Sequence, residues 1–174
     1  SSLNRAVCVF GGVIGVQHNF YNCDYSLCSN GTSILMQANT ILHSNNNSIR
    51  AVGNNISVYF NFLNNVIEGN SGGIEILNPN ASINISGNTI SSYFSINPLI
   101  EIGIANGTQS KAIEIKNNTF FSFGEGQGLR LTKIKNANVH DNNINLIGNA
   151  SPVFSLRGIE INNCSGTKLK DNSI

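Results

Sequence analysis

The sequence predicts an all-β chain: a right-handed, single-stranded parallel β-helix of about seven coils with an asparagine ladder. Three observations predict it. An eight-residue segment recurs with Asn at a fixed place, a second short alternating segment runs between its copies, and the composition is rich in turn-forming residues but poor in charge.

The octad is clearest at residues 83–90, INISGNTI: apolar, any, apolar, two small or polar residues, Asn, any, apolar. Close copies occupy 14–21, 34–41, 60–67, 113–120, 137–144 and 167–174. Their shared asparagines are Asn19, Asn39, Asn65, Asn88, Asn118, Asn142 and Asn172, spaced 20, 26, 23, 30, 24 and 30 residues apart. Apolar–any–apolar alternation sends side chains alternately inward and outward. The polar pair and Asn then turn the chain, and the last apolar residue re-enters the core. One winding cannot bury its own apolar face, so windings must stack. Stacking at roughly 4.8 Å places equivalent residues in columns. Ile41, Ile67, Ile90, Phe120 and Ile144 are expected to form an interior column, and the seven asparagines a second one.

The intervening segments are SIRAV at 48–52, GIEIL at 73–77, LIEIGI at 99–104, GLRLTKI at 128–134 and GIEI at 158–161. Each reads as a further half-buried strand. Charged residues make up 11% of the chain against 40% hydrophobic, so the chain keeps its Ile and Phe and is not of disordered composition. Asn fills 31 of 174 positions, and Asn and Gly tolerate the left-handed backbone that tight turns require. A leucine-rich repeat would need recurrent Leu and a helical return, and a β-sandwich would need hairpin turns; neither pattern is present. Residues 1–174 therefore read as one domain, expected to be part of a longer rod or an end-to-end assembly.

The combination of GIEI, a polar turn and IxIxxNxI resembles the repeat of pectate-lyase-like β-helix proteins. That superfamily also includes phage tailspikes, polysaccharide epimerases and many surface proteins. The resemblance covers nearly the whole chain and implies the fold, whereas the scaffold hosts many activities. Enzymes of the family act on polysaccharides along an outer face. The resemblance thus directs attention to outward residues.

One outward row carries Arg50, Glu75, Glu101, Arg130 and Glu160. Glu75 beside Glu101 is a candidate carboxylate pair, against the alternative of a surface row whose charges compensate. Another strand presents Asn84, Glu114, Asn138 and Lys168, then Ser86, Lys116, His140 and Lys170. Lys116, His140 and Lys170 form a modest basic stripe able to meet an acidic glycan. His140 and Asp141 are expected to point to opposite faces, as strand neighbours do. Tyr59, Tyr93 and Phe94 are aromatics available to stack on sugars, with core packing the competing role. No catalytic constellation, nucleophile motif, cofactor motif or metal-ligand spacing stands out, and the sequence points away from an enzyme without deciding the matter. Net charge is +1, which gives no electrostatic footprint for nucleic acid. The longest apolar stretch, at residues 6–16, is too short to insert across a bilayer.

Nine N-x-S/T sequons begin at Asn30, Asn46, Asn55, Asn80, Asn84, Asn106, Asn117, Asn149 and Asn163. Asn30, Asn55, Asn80 and Asn163 lie 9, 10, 8 and 9 residues before their octad asparagines, which predicts one shared corner of the rod for glycans. Asn106 and Asn149, in longer coils, are further candidates. Asn-x-Ser suiting the turn is the competing account. Cys8 and Cys28 each precede an octad Asn by 11 residues, which places them within disulfide reach on neighbouring coils; Cys23–Cys28 is the rival pairing. Cys164, far along the rod, is either a free core thiol or a link to another subunit. The expected function is a non-catalytic extracellular, cell-surface or virion-surface structural or adhesive rod, N-glycosylated and a fibre subunit, its partners being copies of itself end to end, or glycans. The alternative is a polysaccharide-binding or polysaccharide-degrading, tailspike-like protein.

Overall fold

The structure, a computed structural model, describes residues 5–16, 19–21, 25–44, 48–52, 58–69, 72–77, 80–93, 97–103, 111–123, 126–148 and 156–174. Side chains are described from Ser33 onward, apart from those of His43, Ser44, Val52 and Val58. The strands are β1 (Arg5–Val16), β2 (Asn19–Tyr21), β3 (Tyr25–Gln37), β4 (Thr40–Ser44), β5 (Ile49–Val52) and β6 (Val58–Leu63). They continue with β7 (Val66–Gly69), β8 (Ile74–Leu77), β9 (Ala81–Ser86), β10 (Thr89–Ser92), β11 (Pro98–Gly103) and β12 (Ile113–Lys116). The last are β13 (Thr119–Phe123), β14 (Gln127–Thr132), β15 (Ala137–His140), β16 (Asn143–Ile147), β17 (Arg157–Asn162) and β18 (Lys168–Lys170).

Every strand pairing is parallel and joins one winding to the next, as a solenoid requires. Strands β2, β4, β7, β10, β13 and β16 form one sheet. The other sheet runs β17-β14-β11-β8-β5-β3-β6-β9-β12-β15-β18, with β1 also on β3. It is two faces joined along β3, whose residues 27–30 pair with β5 and residues 34–37 with β6.

Four turns are each built from three separate strands: β6-β7-β8, β9-β10-β11, β12-β13-β14 and β15-β16-β17. About four turns thus stand where seven coils were expected. An octad marks a corner, not a whole winding. In the first windings two strands are fused into the long β1 and β3, and the octad at 167–174 contributes β18 alone.

The interior follows the alternation. Ile41, Ile67, Ile90, Phe120 and Ile144 pair in successive register and are all buried. Phe60, Phe62, Ile83, Ile85, Ile113 and Ile115 line a second face; Ile74, Ile76, Ile100, Ile102, Leu129 and Leu131 line the third. Each such side chain contributes about 1.5–3 kcal/mol by leaving water.

The asparagine ladder is formed at the corner. The residue before each ladder Asn has a left-handed backbone: Ala38, Asn64, Gly87, Asn117, Asp141 and Asp171, with φ between 49° and 69°. This bend takes the next backbone N–H out of the strand pattern, and the Asn column replaces the lost acceptor. The N–H and Nδ2 of Asn65 both donate to Asn88 Oδ1, each at 2.9 Å. Asn39 does the same to Asn65, Asn88 to Asn118, Asn118 to Asn142 and Asn142 to Asn172. The second amide proton returns to a strand carbonyl, as from Asn88 to Phe62 O at 2.8 Å. The side chain of Asn19 lies outside those described; its backbone pairs with Thr40, one position beyond Asn39.

Candidate functional site

Because neighbouring windings lie in register, outward residues meet across strands. On the face of β5, β8, β11, β14 and β17, Arg50, Glu75, Glu101, Arg130 and Glu160 are consecutive partners. Arg50 Nε lies 2.8 Å from Glu75 Oε2. Arg130 reaches both neighbours, at 3.3 Å from Glu101 Oε1 and 3.3 Å from Glu160 Oε2, and Arg157 lies 2.7 Å from Glu160 Oε1. Hydrogen bonds from Asn162, Arg157 and Arg130 hold the Glu160 carboxyl below its usual pKa, against a smaller opposing effect of desolvation. Glu75 and Glu101 are adjacent, but each is engaged by an arginine on its far side. The row compensates itself.

The richer cluster lies on the face of β9, β12, β15 and β18, where Glu114 pairs with Asn138 and Lys116 with His140. Glu114 Oε1 is 2.6 Å from His140 Nε2, and Asn138 Nδ2 donates to Glu114 Oε2 at 3.1 Å. Lys116 Nζ stands 3.5 Å from Glu114. The other ring nitrogen, His140 Nδ1, is 2.6 Å from Asp141 Oδ2. This overturns the expectation that His140 and Asp141 face apart. Asp141 follows β15 with φ 54°, and strand alternation no longer governs a left-handed corner residue. One winding on, Lys170 and Asp171 repeat the arrangement at 3.2 Å.

Two carboxylates on one imidazole favour the doubly protonated ring, the form that donates from both nitrogens. The hydrogen bond to Glu114, then that to Asp141, raise the His140 pKa against a smaller desolvation penalty. The same bond from His140 is the largest cause lowering the Glu114 pKa, with Asn138, Lys116 and charge attraction adding to it and desolvation opposing. The assembly is an ionic staple between windings. While both nitrogens are engaged, the ring has no lone pair with which to take a proton from a ligand.

The remaining predicted residues are scattered. Asn163 directly follows β17, is exposed and has φ 53°. Asn80 directly precedes β9 and is half-buried. Asn30 lies within β3 and its backbone pairs with Val52. These positions share the boundary between two faces but not one register. Asn55, Asn106 and Asn149 fall outside the described residues, as do Cys23 and Phe94. Cys8 and Cys28 are direct backbone partners on β1 and β3. Cys164 is a free, half-buried thiol stacked beneath Ile134, its Sγ accepting from Ile134 N at 3.3 Å. Tyr59 and Tyr93 are exposed, and Tyr93 stacks on Phe123 at 5.3 Å between centroids. Among the described residues, no group of three or more His, Cys, Asp and Glu could hold a metal ion, and no helix is long and apolar enough to cross a membrane.

No family model, curated protein or solved structure matches the chain. The fold and cluster therefore rest on the chain's own geometry.

Proposed function

We propose that the chain is a non-catalytic structural or adhesive β-helix, N-glycosylated, displayed outside the cell or on a cell or virion surface, and a subunit of a longer rod or fibre. We further infer that its winding is right-handed, the sense parallel crossovers take. One observation carries the functional reading: every described acidic residue has an interacting partner within the chain. A surface whose charges serve one another suits a scaffold, because carboxylate oxygens that already accept from neighbouring cations have less acceptor capacity left for a ligand. The test presents the full chain with a panel of neutral and acidic polysaccharides. Binding without new reducing ends or unsaturated uronate absorbance supports the reading; turnover refutes it.

The Glu114–His140–Asp141 cluster, with Lys116 and Lys170 in its column, favours a second reading, that of a polysaccharide-binding or polysaccharide-processing β-helix. Turnover that is lost in His140→Ala but kept in Arg50→Ala would establish it.

A further inference from the structure

We infer that the folded, secreted chain carries an N-glycan on Asn117, a position no corner spacing singled out, and none on Asn84. The inference rests on the glycoprotein reading above and makes it residue-specific. Four sequon asparagines have described side chains: Asn80, Asn84, Asn117 and Asn163. Two of them, Asn117 and Asn163, are exposed, and both have φ 53° immediately after a strand, at the ends of β12 and β17. A residue at such a corner is freed from strand alternation and lies at the outer edge of the rod. The backbone of Asn117 is held without help from its side chain, since its N–H donates to His140 O at 3.3 Å. Its neighbours in the corner column are Gly87, which has no side chain, and Asp141, whose carboxylate is turned onto His140. The middle residue of the sequon, Asn118, turns inward to the ladder, so a sugar on Asn117 leaves the ladder intact.

Asn84 differs in each respect. It lies in the body of β9, half-buried, between Asn61 and Glu114 in the outward row. Its Oδ1 is buried with no hydrogen-bond partner. A glycan there would have to displace neighbours packed at strand spacing, roughly 4.8 Å away. Attachment itself precedes folding. The Asn117 Nδ2 bonds to the anomeric carbon of a lipid-pyrophosphate-linked oligosaccharide. The carbon–oxygen bond to the pyrophosphate breaks, the lipid pyrophosphate leaves with the electron pair, and one amide proton passes to a base. The fold then decides which modified chains become stable, secreted protein.

The test secretes the full chain from a eukaryotic host and removes glycans enzymatically in 18O water. This tags each formerly occupied Asn as labelled Asp. The expected result is a tag at Asn117 and Asn163 and none at Asn84. Asn117→Asp and Asn117→Gly, both suited to left-handed backbone, should each lose one glycan mass while keeping the parent circular dichroism spectrum. Glycans at other sequons with Asn117 bare, or a tag at Asn84 in folded protein, would overturn this inference alone. No glycan at any sequon would overturn the glycoprotein reading with it.

Discussion

Replacing Asn88 by alanine strikes the ladder where it is most enclosed. Asn88 is 1% exposed. Its Oδ1 accepts from the N–H and Nδ2 of Asn65, and its Nδ2 donates to Phe62 O, Ser86 O and Asn118 Oδ1. Alanine removes all five side-chain bonds. The Asn65 backbone N–H loses its acceptor, one Asn65 amide proton loses its partner, and Phe62 O loses a donor. Asn118 Oδ1 still accepts from the Asn88 backbone N–H, so its loss is partial. A buried donor or acceptor left unsatisfied costs about 1–3 kcal/mol. Two or three such groups predict a loss of about 3–6 kcal/mol, a large share of the about 5–15 kcal/mol that stabilises a typical domain. Asn172, half-buried and with one ladder neighbour, provides the control: Asn172→Ala should cost about half as much or less. Urea unfolding followed by circular dichroism measures both. If Asn88→Ala cost under about 1 kcal/mol, the column would not be what fixes the corners, and the reasoning would fail.

The His140 staple gives a pH dependence of known sign. A raised folded-state pKa means its stabilisation is fully present below the ordinary value of 6.5 and is lost as pH rises through the folded pKa. The lowered pKa of Glu114 means its share is present above the ordinary 4.5 and is lost as pH falls through its folded pKa. Stability attributable to the pair should therefore be greatest between those values, an NMR titration should place the His140 midpoint above 6.5, and His140→Gln should remove the alkaline decline; an unshifted midpoint would contradict the geometry. At the corners, Ala38→Gly should stabilise by about 0.5–1 kcal/mol, because left-handed backbone costs a non-glycine residue about 1–2 kcal/mol and glycine returns part of that gain through entropy. Gly87→Ala should destabilise by more than that backbone cost alone, since its Cβ would meet Asn64 Oδ1; equal unfolding midpoints for parent and variants would count against the corner geometry. Non-reducing peptide maps should link Cys8 to Cys28 while native-state alkylation labels Cys164; a Cys23–Cys28 peptide would refute the pairing.

The fold was legible because its determinant is periodic. Ile41, Ile67, Ile90, Phe120 and Ile144 occupy one octad position and pair in register, and Asn39 through Asn172 bond in sequence. The number of turns was not legible, because an octad records one corner and says nothing of whether the two strands before it are separate. In β3 they are continuous from Tyr25 to Gln37. Asn19 shows the same limit on a smaller scale: its octad matches, but its backbone pairs with Thr40, one position beyond the ladder Asn39.

The cluster was half legible, and the missing half has a specific cause. Alternation correctly sent Glu114, Lys116 and His140 outward, but it also assigned Asp141 to the opposite face. The signal that corrects this lies in the octad itself. The residue before the ladder Asn is Asn64, Gly87, Asn117, Asp141 or Asp171 in five of the six ladder octads, residue types that tolerate left-handed backbone. Read that way, the position is a corner whose side chain is independent of the strand before it, and a carboxylate there is free to turn back on its neighbour. The same reading separates Asn117 from Asn84: a short sequon pattern acquires chemical meaning only once each Asn is placed on a strand or at its corner.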